Sequence, residues 1–368
     1  MQPKQAPIRD RPTLDTIARA LGVSRATVSN AYNRPDQLSP ALRERILATA
    51  ASLGYGGPDP AARSLRQRRV GAVGVLMSDR LSFAFSDPAA VLLLDGLAEV
   101  LEPEGSGLLI LPGVEGGGPP VNLVRNAVVD GLVTYCLADD DPALEAARAR
   151  RVPLVLVDDV PRRGAEGGPG DDAIQIDDPG GATAAAQHLV DLGHRRIAVV
   201  SFELTRDRRS GMASAERQAA ITFSGTRDRL GGYRKGLVDA GLDWSDILVW
   251  ECPHNGRQVG REAAAVVLET RPRPTAILAM SDELAIGTLE AARDAGVDVP
   301  GELSVVGFDD IPAAAHTTPP LTTVRQPLRR KGQLAGELLL ALQAGRRPAL
   351  APRLPTELVV RGSTAPPA

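Results

Sequence analysis

The feature that most constrains this chain lies near its start, where two short helical patterns meet at a single glycine-containing turn. Thr13 can cap a first helix, and Leu14, Ile17, Ala18 and Leu21 follow at i, i+3, i+4 and i+7, one helical face. Gly22 breaks the pattern, and Ser24 after Val23 offers a second N-cap. Arg25 to Tyr32 reads as a second helix with Val28 and Tyr32 on one side, and Asn33-Arg34-Pro35-Asp36 as a loop. Ser39-Pro40 opens a third helix, whose apolar face is Leu42, Ile46, Ala50 and Leu53 and whose stop is Gly54. Such a unit is a helix-turn-helix, and its second helix has the geometry to enter a DNA major groove.

Charge supports that reading. Residues 1–69 carry 12 Lys/Arg against 5 Asp/Glu, a net of +7, while the rest carries 30 against 40, a net of −10. A basic head on an acidic body directs a polyanion to the head. Arg25 is the strongest base reader, because a guanidinium holds guanine O6 and N7 together. Asn30 suits adenine, and Ala26 is small enough to admit a thymine methyl. Thr27, Ser29, Asn33 and Gln37 suit phosphates, which position the head without specifying sequence, and the caps Thr13 and Ser24 join the DNA-facing set. Each polar residue taken alone is more readily a solvated helix face. Spacing, turn, caps and charge together favour DNA.

With 368 residues and 43% apolar side chains, the chain can build two or three cored domains. No apolar run reaches the ~18 residues that span a bilayer. Residues 1–12 are polar and proline-dotted, read as a disordered tail rather than a secretory signal. Cys136 and Cys252 are too few for a disulfide framework and fit a reducing, cytoplasmic setting.

Beyond residue 69 the pattern changes. Val70–Met77, Leu108–Leu111, Gly131–Tyr135, Val152–Val157, Ile197–Ser201, Ala276–Ala279 and Leu303–Gly307 are short apolar runs. Helical stretches such as Ala182–Leu192, Arg257–Glu269 and Glu283–Ala295 alternate with them, and Thr356–Val360 reads as a last strand. Continuous apolar strands between helices imply parallel sheets covered on both faces. The expected fold is an all-α helix-turn-helix head plus an α/β core of two doubly wound parallel-sheet subdomains. The head spans 13–57, a hinge helix and linker 58–69, and the core 70–368. Subdomain N covers about 70–176 and 325–352, and subdomain C about 177–324 and 353–362. Crossings between them fall near Asp177-Asp178, near Val324–Gln326 and just before Leu354, leaving a cleft able to close on a small molecule.

A catalytic reading finds little to rest on. His188, His194, His254 and His316 lack metal-ligand spacing, Gly-x-Ser-x-Gly is absent, and Gly231-Gly232 reads as opening a helix after a loop. No catalytic role, metal or cofactor is expected. A carbohydrate-binding transport protein would explain the body but leave the head without purpose, and a tethered enzyme would need a catalytic cluster.

The head residues Thr13–Ala18, Gly22-Val23-Ser24 and Thr27-Val28-Ser29 resemble the LacI family of regulators. Ser39-Pro40, Arg43, Leu53-Gly54-Tyr55 and Ala62-Arg63-Ser64-Leu65 continue the resemblance. In the body it extends through Leu192-Gly193-His194-Arg195, Arg229, Gly232-Tyr233, Leu303–Asp310 and Pro320–Val324. The resemblance implies a sequence-specific repressor, a homodimer on a palindromic operator, with a periplasmic-binding-protein-like core that senses a small-molecule effector, most often a sugar. It implies a hinge helix, Pro60 to Arg66, that carries Arg63 and places Leu65 as a wedge between base pairs in the minor groove. Gly56-Gly57 makes this hinge one residue longer than usual, and Asp59 replaces a common Asn.

Carried over singly, Arg229 matches an arginine that holds effector hydroxyls or a carboxylate, and Asp309 an acid that accepts from sugar hydroxyls. Ser281-Asp282 stands where many members have Asn-Asp, so Ser281 removes an amide donor. Phe83 and Phe85 replace a loop that often reads Asn-Pro-Phe-Phe and, with Asp87, are expected to form one cleft wall, and Asp158 ends a strand at the expected cleft edge. Helices Ala89–Leu101 and Glu283–Ala295 are the implied dimer surfaces, and a chain ending at Ala368 without heptads is expected to be a dimer rather than a coiled-coil tetramer.

Overall fold

The computed structural model describes residues 12–57, 69–114, 117–158, 172–348 and 353–368, and the chain divides into two compact units, 1–70 and 71–368. The expectations for the hinge, with Asp59, Arg63 and Leu65, and for the tail through Arg11 lie outside the described residues.

The first unit contains α1 (Leu14–Leu21), α2 (Arg25–Asn33) and α3 (Pro40–Ser52). Thr13 and Thr16 cap α1 reciprocally, and Ser24 accepts from the Thr27 amide at 3.0 Å to cap α2. Between them Gly22 takes φ +66, a left-handed conformation that costs glycine nothing. The core is Ile17, Ala18, Val28, Ala31, Ile46 and Ala50. Leu53, expected inside, is 40% exposed. Gly54 turns the chain at φ +72 directly after α3, so Tyr55 folds back instead and meets Tyr32 edge-on at 6.0 Å.

The second unit holds two sheets. The first joins β1 (Ala72–Met77), β2 (Gly107–Leu111), β3 (Gly131–Tyr135), β4 (Leu154–Val157) and β5 (Asp172–Ile174) in the order β2-β1-β3-β4-β5, all parallel. The second contains β6 (Ile197–Ser201), β7 (Gly211–Met212), β8 (Leu248–Glu251), β9 (Ala276–Ala279), β10 (Ser304–Asp309), β11 (Thr322–Arg325) and β12 (Glu357–Val359). Its order is β12-β11-β10-β9-β6-β8-β7, parallel except at the two edges. β3, β6, β9 and β10 are buried along their whole length, which is why they read as unbroken apolar runs.

Among the described residues six long helices cover the sheets: α4 (Pro88–Leu101), α5 (Asp178–Asp191), α6 (Ser224–Asp239), α7 (Arg257–Glu269), α8 (Asp282–Asp294) and α9 (Leu328–Gln343). They pair as α4 with α9, α5 with α6, and α7 with α8. Each pair closes through glycine. A Cβ on Gly96 would stand 2.0 Å from the Arg329 carbonyl oxygen, one on Gly232 2.6 Å from that of Pro179, and one on Gly287 2.1 Å from that of Arg257. Gly231-Gly232 therefore does not open a helix; it lies mid-way along α6, where the small residue permits contact with α5.

The chain passes from the first lobe to the second after Ile176, returns after Gln326 into α9, and crosses again at Leu354. Two of these passages are tied together: the Asp177 amide donates to the Leu354 carbonyl at 2.8 Å, and the Leu354 amide to that of Gln175 at 2.8 Å. The C-terminal residues are held under the second lobe by buried His194, whose ring lies within 3.0 Å of Thr275, Ser304 and the Ala365 carbonyl.

Candidate functional site

In the head, Arg25, Ala26 and Asn33 of α2 are exposed and Thr27, Ser29 and Asn30 half-buried, while Gln37 is exposed in the turn Pro35–Gln37 that follows. The Arg25 side chain is 63% exposed, and its partner Asp15 lies 3.8 Å away. An exposed pair of that length contributes little and leaves the guanidinium available to a ligand. Asn30 donates to Gln37 at 3.2 Å, and Asn33 to the Ser29 carbonyl at 3.1 Å. Thr13 and Ser24 have their hydroxyls committed to helix caps.

In the second unit a cavity of about 100 Å³ opens between the lobes, at the C-terminal ends of the parallel strands. Such strand ends, where loops diverge, are where α/β folds gather ligands. Six carboxylates line it, from Asp79, Asp87, Asp158, Asp178, Glu203 and Asp309, and among its described lining residues Arg229 is the one cationic side chain. Tyr135, Phe83, Phe202 and Phe223 supply apolar surface.

Arg229 is buried on α6 and held on several sides. Its Nε donates to Asp178 at 2.8 Å and its Nη1 to the Met280 carbonyl at 2.5 Å, with Asp309 3.4 Å away. The guanidinium lies 3.8 Å from the Phe308 ring centre. Burial opposes its charge, but Asp178 and Asp309 outweigh that and raise its pKa. Asp309 ends β10 at φ +121, and Gln326, at the second crossing, donates to it at 2.5 Å.

Asp158 follows β4 at φ +59 and pairs through one oxygen with Lys331 of α9, a fully buried ammonium. Its other oxygen, Oδ1, is buried with no hydrogen-bond partner, as is Gln326 Oε1. Asp87 caps α4 by accepting from the Ala90 amide at 2.9 Å. Burial, followed by repulsion from Asp309, pushes its pKa up to about 7. Glu203 is likewise raised to about 7 by burial, although Arg208 pulls it down.

The structure brings Asp87, Asp158, Arg229 and Asp309 to one cavity and leaves Phe85 and Ser281 out of its lining. Phe85 is 69% exposed: Phe83 and Phe85 sit two residues apart on one short helical turn, so only Phe83 faces inward. Ser281 is wholly buried as the N-cap of α8. Asn255 brings an amide to the cavity lining and accepts from the Ser281 hydroxyl at 2.6 Å. Sequence reasoning passed over Asn255, Asp178, Gln326 and Lys331. Asp178 and Gln326 were marked only as crossings, and nothing in the local sequence distinguished Asn255 or Lys331.

Comparison with known proteins adds the following. Residues 13–57 match the family described as bacterial regulatory proteins, lacI family, and residues 186–364 match a periplasmic binding protein-like domain. An HTH-type transcriptional regulator of Mycobacterium tuberculosis is 43% identical over 361 residues, 98% of either chain. A solved complex of the transcriptional regulator CelR with cellobiose is 28% identical with a TM-score of 0.65, covering 96% of this chain and 100% of that one. The lac repressor dimer, solved with operator and the anti-inducer ONPF, is 26% identical with a TM-score of 0.73, covering 97% and 100%.

Proposed function

This chain belongs to the LacI family of bacterial regulatory proteins, a family of transcriptional regulators, and from that premise we propose that it is a repressor that binds a palindromic operator as a dimer and is modulated by a small, neutral, sugar-like effector held between its lobes. The observation that carries the effector reading is the pair of orphan acceptors, Asp158 Oδ1 and Gln326 Oε1, at a cavity rich in carboxylates. A buried acceptor without a donor is costly, and a ligand bearing several hydroxyls relieves that cost. An anionic ligand would face six carboxylates while the nearby cations are already engaged, Arg229 by Asp178 and Asp309, Arg208 by Asp79 and Glu203, and Lys331 by Asp158.

On this reading Asp87, Asp158, Arg229 and Asp309 bind the effector, joined by Asn255, Asp178 and Gln326. Arg25 and Asn30 read bases, flanked by Ala26, while Thr27, Ser29, Asn33 and Gln37 contact phosphates. Arg63 and Leu65 act in the hinge, Leu65 as a wedge that bends the duplex. Helices α4 and α8 form the dimer surface. Only a ligand with unequal affinity for the DNA-competent and incompetent states can change DNA binding.

The test is a thermal-shift screen of sugars, nucleosides and small acids, followed by DNA binding with each hit, using a duplex selected from random DNA. A neutral polyhydroxylated hit that changes DNA affinity supports the proposal. Stabilisation by carboxylates or phosphates alone would count against it.

A further inference from the structure

Two helices on different lobes, α4 and α8, have their N-terminal caps joined through a single side chain. Asn255, in the loop between β8 and α7, donates from Nδ2 to Asp87 Oδ1 at 3.2 Å. Its Oδ1 accepts from the Ser281 hydroxyl at 2.6 Å. Asp87 caps α4 through its other oxygen, at 2.9 Å from the Ala90 amide, and the Ser281 oxygen caps α8, at 3.1 Å from the Leu284 amide. The chain of bonds runs unbroken from the first turn of one helix to the first turn of the other. Asp87 and Asn255 both line the cavity.

We infer that Asn255 is a positioning residue that couples the contents of the cavity to the relative placement of α4 and α8. The inference rests on the reading of the cavity as the effector site and of these helices as the dimer surface. A carboxamide suits the place because it donates to a carboxylate on one side and accepts from a hydroxyl on the other. The two links are unequal. At 3.2 Å the bond to Asp87 is at the long end of the normal range, whereas 2.6 Å to Ser281 is short. When the lobes part, the Asp87 link breaks first, and Asn255 travels with the second lobe. A ligand that donates a hydroxyl to Asp87 while the lobes are closed holds that link made, and with it the register of the two helices. This gives a two-state contact that the cavity can bias, as coupling between distant surfaces requires.

Hydrogen exchange on the full chain, without ligand, tests the inference. In Asn255→Ala the first-turn amides of both helices, Ala89–Val91 and Leu284-Ala285, exchange about fivefold faster. In Asn255→Asp, measured at pH 8 where Asp87 is ionised, the bond from Ser281 survives but Asp87 is repelled, so only Ala89–Val91 speeds up. Faster exchange confined to α8 and the 252–258 loop in the alanine variant, with α4 unchanged in both, overturns the inference. Because no ligand is present, a failed effector screen leaves this outcome standing, and the reverse is equally true.

Discussion

The ammonium of Lys331 and the carboxylate of Asp158 form an ion pair with side-chain exposures of 1% and 9%, joining α9 to the end of β4. The pair turns one Asp158 oxygen inward and leaves the other without a partner at the cavity. Removing one member of such a pair leaves a buried charge uncompensated, which costs about 3–5 kcal/mol. Lys331→Met should therefore lower the melting temperature of the core sharply. Adding Asp158→Asn to Lys331→Met should recover most of the loss. No recovery in the double variant would mean that Lys331 acts through packing instead.

Arg229 meets Asp178, Asp309 and the Met280 carbonyl through a fork of donors that an ammonium cannot reproduce. Arg229→Lys keeps the charge and should keep the fold, yet weaken effector binding at least tenfold, about 1.4 kcal/mol. Calorimetric titration with an identified effector decides it. An unchanged Kd would restrict Arg229 to a structural role.

In the head, Arg25→Ala should cost ~1–3 kcal/mol of DNA affinity and relax preference at one base pair per half-site. Binding measured over a randomised operator separates this from a phosphate contact, which would weaken every sequence alike.

The acidic cavity makes stability depend on pH in a stated direction. Asp87 and Glu203 titrate near 7 when folded, against about 3.9 and 4.3 for unfolded Asp and Glu. Between those limits the folded state holds protons that the unfolded state has released, so stability falls as pH rises from 4 to about 7 and levels off above. Asp178, Asp282 and Asp309 are raised by burial as well, in the same direction, whereas burial lowers His188, His194 and His254 and opposes the trend at the acidic end of the window. The core should melt at higher temperature at pH 5.5 than at pH 8, with Glu203→Gln flattening the slope. A melting temperature that climbs over this window would falsify the assignment.

The parallel α/β architecture was legible in the sequence because buried central strands carry unbroken apolar runs. β3, β6 and β9 agree with their runs residue for residue. The strands that escaped, β5, β7, β8 and β11, are short and mostly lie toward sheet margins, where fewer positions must be apolar. The first half of α6 escaped because the four glycines of that helix depress helix propensity, and contact with α5 outweighs that. In the cavity, residues carried by strand ends were legible, since a strand fixes where its last side chain points. Asn255 and Lys331 were not, because their role depends on which element of the other sheet or helix layer stands opposite. Ser281 shows the same limit: its identity was visible, but the amide its hydroxyl bonds to, Asn255, stands 26 residues upstream.

The glycine seams between helix pairs have a consequence for how a signal can leave the cavity. Backbones that touch leave no soft layer of long side chains to absorb displacement, so each lobe is stiff in the way a welded frame is stiff. Deformation then concentrates in the three strands of chain that pass between lobes and in whatever side chains bridge the gap. A displacement imposed at Asp87 would then be carried along α4 rather than absorbed at its seam with α9.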